Sequence, residues 1–182
     1  MLRKLIILLV GILCLCSSRL HASHAAGMDI KYEYLGPSGS NYQYRITVYF
    51  YRPCDYNALA APGSLPVYYR CGVGGAISMV TANDSSMIGY YTIIESPCPG
   101  PSNPCNSPYI AYQKYTYQTT ITLSTCSNWE IWTYENARNN GITTGPGGNL
   151  CVKATINNSV YRSSSPVFST DAISFLYPGG TT

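Results

Sequence analysis

Two stretches of this chain alternate between two kinds of side chain with a period of two. Residues 41–54 read NYQYRITVYFYRPC, and one parity is apolar or aromatic: Tyr42, Tyr44, Ile46, Val48 and Phe50. Residues 115–126 read YTYQTTITLSTC, with one parity made of Tyr115, Tyr117, Thr119, Ile121 and Leu123. This alternation predicts two long β-strands that each bury one face, and their β-branched and aromatic residues favour the same conclusion.

Shorter segments of similar character follow one another, separated by turns rich in Gly, Pro, Asn and Ser. We expect strands at residues 29–35, 42–52, 67–71, 76–81, 88–95, 112–123, 129–134, 150–157 and 167–176, with turns at 36–40 and 82–86. No amphipathic helix of useful length is apparent. About seven to ten short strands with turn signals between them favour an all-β fold, an antiparallel β-sandwich of immunoglobulin-like or jelly-roll-like type. A closed barrel is the second choice.

The N-terminal residues 1–22 predict a secretory signal peptide. Arg3 and Lys4 precede an apolar run at residues 5–16, which is short for a stable membrane anchor. Cleavage fits after Ala22 or after Ala25, and an uncleaved anchor is the alternative. Residues 23–182 would then form a single exported domain without a membrane span, large enough for a hydrophobic core.

Charge gives no indication of a nucleic-acid or membrane partner. The chain has 11 Lys and Arg against 8 Asp and Glu, a net charge of +3. Because Arg3, Lys4 and Arg19 belong to the signal peptide, the remainder is neutral, so no electrostatic attraction to nucleic acid is expected. The 18 tyrosines suit a contact surface, since each combines a flat ring with a polar tip; ordinary half-buried strand residues are the alternative.

The cysteines predict a disulfide-stapled fold. Beyond the signal peptide the sequence has Cys54, Cys71, Cys98, Cys105, Cys126 and Cys151. An even number in an exported chain indicates disulfides, and we expect Cys98 to bond Cys105 across a proline-rich loop. The pairing of the other four stays open on these grounds. A zinc site is the rival interpretation, but no CxxC pair is present, so we expect neither a metal nor another cofactor.

No group of residues indicates catalysis. A nucleophilic triad usually needs a histidine base, and the only histidine beyond residue 22 is His24, beside the cleavage site. The carboxylates are scattered along the chain and suggest no acid–base pair of the kind that glycosidases use. We therefore expect a protein that is not an enzyme.

Aromatic residues near the predicted strand 129–134 are the candidate ligand-binding residues. Trp129, Trp132 and Tyr134 lie beside polar side chains, and carbohydrate sites combine ring faces with hydrogen-bonding groups. By parity, Trp129 and Trp132 face opposite sides of the strand. The alternative is that both tryptophans belong to the core.

Several blocks of sequence together resemble a known family. They are SHAAG followed by DIKYEYLG, then NYQYRITVYFYRPC, YQKYTYQTTITLSTCSNWEIW, YENARNNGITT and ATINNSVYRSSSPVF. Across residues 23–168 the chain resembles the N-terminal β domain of large secreted surface proteins of Bacteroidetes, of the gliding-motility-associated, type IX-sorted kind. The resemblance implies export and a structural or adhesive role at the cell surface, and it implies no activity and no catalytic residues.

The chain departs from this family pattern in two respects. Asn136 and Ala137 stand where the family has two consecutive cysteines, whereas Cys71 and Cys151 are additional. From this departure we infer that Cys71 and Cys151 bond each other. No sorting domain follows in the chain as given, so the resemblance does not carry that secretion route over.

Taken together, these patterns predict a secreted, cell-surface structural or adhesion domain whose partners are other surface proteins or copies of itself. Free edges at the strand 29–35 and at residues 173–177 would allow self-assembly into a filament or layer by strand addition. The alternative is a carbohydrate-binding module that binds glycans through Trp129, Trp132 and Tyr134. A glycosidase or peptidase is a third hypothesis, for which the sequence offers no base or carboxylate cluster.

Overall fold

Eight β-strands and no helix make up the part of the chain that this computed structural model describes, residues 25–53, 61–85, 92–94, 112–136 and 149–166. In chain order the strands are β1 (Gly27–Ser38), β2 (Asn41–Pro53), β3 (Ser64–Cys71), β4 (Ser78–Asp84), β5 (Thr92–Ile94), β6 (Tyr112–Leu123), β7 (Trp129–Glu135) and β8 (Leu150–Ile156). The predicted all-β class is confirmed.

The strands belong to one sheet in which every pairing is antiparallel. Their order is β1-β2-β6-β4-β3-β7-β8, and the short β5 pairs with β6. The two ends of this order, β1 and β8, contact each other, so the sheet is nearly closed. The structure thus approaches the barrel that was our second choice, while the two-layered sandwich stays a prediction.

The pairing of β2 with β6 builds the centre of the core. Tyr44 lies opposite Ile121 and Val48 opposite Tyr117, and all four side chains are buried. Most side chains of the other parity, such as Arg45, are more exposed, although Tyr51 at the end of β2 is also buried. Each buried aliphatic or aromatic side chain stabilises the fold by about 1.5–3 kcal/mol. The inward-facing side chains of both strands thus belong to one core. Its buried residues are Ala25, Ile30, Tyr44, Ile46, Val48, Phe50, Leu65, Val67, Ala82, Tyr115, Tyr117, Ile121, Leu123, Ile131 and Ile156.

The hairpin between β1 and β2 is tighter than predicted. We expected a turn of about five residues, but β1 continues until it lies opposite Asn41, which leaves only Gly39 and Ser40 in the loop. Gly39 has a φ of 62°, and no described residue other than glycine has a positive φ. Glycine at the first loop position is typical of a type II′ turn. An irregularity in register between Tyr34 and Gly36 takes up the extra residue.

The strand β4 continues into a segment that we expected to be a turn. Ala82, Asn83 and Asp84 all lie in β4. Ala82 is fully buried opposite Leu65, while Asn83 and Asp84 pair with β6. Polar composition misled the prediction here, because the pairing partners of these residues lie far away in the sequence.

A disulfide joins Cys71, the last residue of β3, to Cys126 in the connection between β6 and β7. The bond that we inferred between Cys71 and Cys151 is therefore wrong, and Cys151 is exposed and free. Cys71 lies opposite Trp129, whereas Cys151 lies opposite Tyr134. These positions are at opposite ends of β7, about 17 Å apart at the rise of a strand, which is too far for a disulfide.

Asn158 fixes the chain just beyond β8 to the same region. Its buried side chain accepts a hydrogen bond from the Cys126 N–H at 2.7 Å and donates one to the Ser124 carbonyl at 2.9 Å. The Asn158 N–H in turn donates to the Cys126 carbonyl at 3.1 Å. The point at which the chain leaves β8 is thus firmly held.

Residues 160–166, called the strap below, cover part of the outer edge of β1. The Ser165 N–H donates to the Tyr32 carbonyl at 2.8 Å, and the Tyr32 N–H donates to Ser165 Oγ at 2.9 Å. The Tyr34 N–H donates to Ser164 Oγ at 3.0 Å. The strap therefore runs antiparallel to β1, and the edge that we expected to be free is covered at Tyr32 and Tyr34.

Other predictions concern residues outside the described ranges. These are the signal peptide at residues 1–22, the bond between Cys98 and Cys105, the position of Cys54, and the strand at 167–176. The division into a signal peptide and one domain at residues 23–182 stays a prediction.

Replacing Cys71 or Cys126 with Ser should lower the free energy of unfolding by about 2–4 kcal/mol, because the bond closes a long loop in the unfolded chain. The two cysteines are 55 residues apart in sequence. Cys151→Ser is the matched control and should change stability by less than about 0.5 kcal/mol, since its thiol is exposed. Urea unfolding followed by circular dichroism measures these values, and a non-reducing peptide map that links Cys71 to Cys151 would contradict the pairing.

Tyr117 should make the fold lose stability at alkaline pH. Its side chain is fully buried and its hydroxyl donates to the Pro62 carbonyl at 2.5 Å. Burial raises the pKa of Tyr117 far above the ordinary value of 10.0, and the charge of Asp84 adds to this effect. Its contribution to stability is therefore complete below pH 10. It is lost above pH 10, where the unfolded chain ionises first, by at most about 1.4 kcal/mol per pH unit.

Urea midpoints measured between pH 8 and pH 11.5 test this expectation. The Cys151→Ser background removes the exposed thiolate of Cys151, which could attack the disulfide at high pH. Tyr117→Phe in that background should be less stable at pH 8 but should decline less steeply as the pH rises. Equal slopes for the two proteins would show that Tyr117 does not cause the decline.

Candidate functional site

Three aromatic side chains from β3 and β7 form a row on the outer face of the sheet. The two strands are antiparallel neighbours with Tyr68 opposite Trp132. Because side chains alternate along a strand, Ile131 enters the core while Trp132 and Tyr134 point outward. We call Tyr68, Trp132 and Tyr134 the aromatic ladder.

The rings of the aromatic ladder are stacked nearly parallel. The Tyr68 centroid lies 5.8 Å from that of Trp132 at an interplanar angle of 19°, and 5.7 Å from that of Tyr134 at 8°. Trp132 and Tyr134 are two residues apart on β7, so Tyr68 fits between them. A hydrogen bond with Tyr134 raises the pKa of Tyr68 above its ordinary value of 10.0. Offset stacking of this kind is favourable and holds the side chains in fixed positions.

An ionic cluster borders the aromatic ladder at the Trp132 end. The Glu130 carboxylate accepts hydrogen bonds from Arg70 at 2.7 Å and from Lys153 at 2.9 Å. The Arg70 guanidinium also lies 5.5 Å from the Trp132 ring centroid, a cation–π distance. Hydrogen bonds from Lys153 and then from Arg70 hold the pKa of Glu130 below its ordinary value of 4.5. One carboxylate shared by two cations leaves this cluster with a net positive charge.

Exposed apolar side chains lie on β4 and in the connection between β3 and β4, next to the aromatic ladder in the sheet order. Met79 of β4 lies opposite Tyr68 and is 59% exposed. Ile77, just before β4, is 58% exposed, and Val73, in the connection between β3 and β4, is 76% exposed. Together with the aromatic ladder these residues form what we call the ladder face. Isolated apolar residues are ordinary at a protein surface, whereas a contiguous group of them marks a contact site.

The outer face of β1, β2 and β6 has a different character. It presents Lys31, Thr47 and Gln118, and an exposed ion pair joins Arg45 to Glu33 at 2.8 Å. Tyr49 also points outward here. The centroid of its ring lies 4.9 Å from the Lys31 ammonium and 4.4 Å from the Lys114 ammonium. Within the described residues, this surface is polar and charged, whereas the ladder face is aromatic and apolar.

The structure separates the three aromatic residues that the sequence nominated. Trp132 and Tyr134 lie together in the aromatic ladder, whereas Trp129 points to the opposite side of β7 and packs against the core. The Trp129 indole N–H donates to the Ser124 carbonyl at 3.0 Å, and its ring lies 6.1 Å from that of Tyr69. The alternation along β7 indicated this separation.

Sequence reasoning missed Tyr68, Arg70 and Lys153. Tyr68 and Arg70 share one parity of the short strand β3, which is the only signal that they face the same way. Their proximity to β7 follows from strand pairing across about sixty residues, which periodicity does not reveal.

Neither metal ligands, a membrane-spanning helix nor a known relative gives further information about this site within the described residues. Among the described residues, no group of three or more His, Cys, Asp and Glu side chains is arranged to hold a metal ion. No helix within those ranges has the length and apolar character needed to cross a membrane. Comparison with protein-family models, curated proteins and solved structures finds no match for this chain.

Glu130→Gln should be less stable than the native protein at pH 7, because Arg70 and Lys153 lose their shared anion. Since the folded-state pKa of Glu130 is lowered, its contribution to stability is complete above pH 4.5 and is lost as the pH falls below that value. The difference between the two urea midpoints should thus shrink between pH 5 and pH 3. Glu33→Gln, at an exposed pair, is the control; a Glu130 deficit that stays constant with pH would contradict the ionic role.

Proposed function

We propose that this protein is a secreted, non-catalytic structural or adhesion domain of the cell surface, with a sandwich-like, disulfide-stapled fold. The ladder face is the surface through which it contacts other surface proteins or further copies of itself. The single observation that carries this proposal is the stacked row of Tyr68, Trp132 and Tyr134 on the outer side of the sheet. The family resemblance of residues 23–168 supports the cellular location.

The composition of the ladder face favours a protein partner. Aromatic residues, Met and Arg are enriched in protein interfaces, and Trp, Tyr and Arg account for most residues whose truncation weakens binding strongly. Here Trp132 contacts both Tyr68 and Arg70, and Met79 extends the apolar area. This arrangement supplies a central group of anchors with a charged border.

The rigidity of the aromatic ladder also favours a contact role. Binding usually costs about 0.5–1.5 kcal/mol for each side chain that becomes immobilised. Tyr68 is already held between two rings, and Arg70 is already held by Glu130. Little further ordering is needed when a partner binds.

The alternative function is a carbohydrate-binding module that uses Trp132 and Tyr134. The outward orientation of both rings next to Arg70, Glu130 and Lys153 favours it, because sugars need apolar faces and hydrogen-bonding groups together. Stacking argues against it, since Tyr68 covers one face of each ring and Arg70 lies over Trp132. The protein-contact function is therefore the better supported of the two.

Binding of the purified protein to the surface of cells that produce it tests both functions. We expect the double substitution Trp132→Ala with Tyr134→Ala to weaken binding at least about fivefold, as the loss of interface anchors does. Tyr49→Ala, an outward ring on the other face, is the matched control and should bind like the native protein. Alkylation of Cys151, which lies opposite Tyr134, should slow when a partner covers the ladder face.

Treatment of the cells distinguishes the classes of partner. Binding that depends on the aromatic ladder and disappears after protease treatment supports a protein partner. Ladder-dependent binding that survives protease but disappears after periodate supports the carbohydrate alternative. Binding that the double substitution leaves unchanged would show that the ladder face has neither function.

A further inference from the structure

The strap is held to the rest of the molecule by a small number of polar contacts. Three hydrogen bonds join Ser164 and Ser165 to β1, and two of them use serine hydroxyls in place of backbone carbonyls. Further along, the Arg162 guanidinium donates to the Tyr42 hydroxyl and lies 4.5 Å from the Tyr42 ring centroid. Most side chains of residues 160–166 are exposed, so the strap itself buries little apolar surface.

The segment about which the strap could move lies between two residues that are held in place, Asn158 and Arg162. Asn158 is buried and hydrogen-bonded to Cys126 and Ser124, so the chain before it stays in place. After it, Arg162 contacts Tyr42 of β2. Ser159, Val160 and Tyr161 therefore form the hinge about which the strap would swing.

Apolar side chains are exposed around this hinge. Val160 is 60% exposed and Tyr161 is 78% exposed, and Leu35, next to the Tyr34 contact, is 39% exposed. The other large apolar side chains with high exposure among the described residues belong to the ladder face.

We propose that the outer edge of β1 is a strand-exchange site, and that its partner is the strap of a second copy of this chain. The contacts at this edge are specific to side chains: a guanidinium must reach Tyr42 while two hydroxyls reach Tyr34 and Tyr32. A donor therefore needs arginine followed at the second and third positions by serine, and residues 162–165 of this chain read Arg-Ser-Ser-Ser. A second copy supplies the same contacts in trans that one copy makes in cis.

Concentration decides between the two arrangements. A short flexible connection gives the strap an effective concentration in the millimolar range at its own β1. Exchange is therefore rare in dilute solution and becomes significant where copies are crowded together, as on a surface. Each exchange joins two copies, and successive exchanges in one direction join a chain of them.

Shortening the hinge tests the proposal. Deletion of Val160 and Tyr161 shortens the reach from Asn158 by about 7 Å, so the strap no longer fits its own β1 in register. In the Cys151→Ser background, we expect this deletion to form oligomers at a protein concentration at least about tenfold below that needed for the intact chain. Light scattering and analytical ultracentrifugation give the masses, and insertion of five Gly and Ser residues at the hinge should keep the protein monomeric.

Substitution of the strap contacts identifies the surface responsible. Arg162→Ala, Ser164→Ala and Ser165→Ala together should return the deletion protein to a monomer, whereas Trp132→Ala with Tyr134→Ala should leave its oligomers unchanged. A deletion protein that stays monomeric, or oligomers that survive the triple substitution, would overturn the proposal. Failure of the ladder face as a contact site would leave this result unaffected.

A second measurement covers the case in which the deletion protein does not fold. Two differently tagged copies of the full-length domain, with the disulfide intact, are mixed in denaturant at high concentration and returned to buffer. Strand exchange predicts co-purification of the two tags, at least about tenfold reduced by the triple substitution. Equal co-purification with and without the triple substitution, or none at all, would contradict exchange through the strap.

Discussion

The register of β2 on β6 is the constraint on which the rest of the structure depends. Each strand carries its apolar side chains on one parity, and the pairing places Tyr44 opposite Ile121 and Phe50 opposite Tyr115. A shift by one residue would turn the polar parity, including Arg45, toward the core. The free energy needed to bury an unpaired charge is far larger than the free energy gained from a favourable turn. The other strands are added on either side of this pair, so they inherit the direction in which it faces.

The outward aromatic residues follow from the same constraint. Once Leu65, Val67 and Ile131 occupy the inner sides of β3 and β7, the alternating Tyr68, Trp132 and Tyr134 must remain outside. There the rings reduce their contact with water by stacking on one another. A buried residue obtains its stability from the whole core, whereas the aromatic ladder obtains it from two or three neighbours.

The alternation of side chains within a segment correctly predicted features that depend on that segment alone. The bounds of β6 agree with the sequence prediction, and the parity of β7 correctly separated Trp129 from Trp132. The prediction failed where distant pairing decides the outcome. Cys71 bonds Cys126 because β3 ends at the start of β7, and Tyr68 joins the aromatic ladder because β3 pairs with β7. Neither fact is encoded in a single segment, since each depends on the order of strands in the sheet.

The outer edge of β1 is closed by two kinds of contact that differ in permanence. Three successive outward N–H groups, on Ile30, Tyr32 and Tyr34, each donate to a side-chain oxygen. The first acceptor is the carboxylate of Asp29, the preceding residue, which stays in place as long as β1 exists. The other two acceptors belong to the strap and leave when it leaves. An incoming strand would therefore supply acceptors to the N–H groups of Tyr32 and Tyr34 but not to that of Ile30, which favours a single register for exchange at this edge.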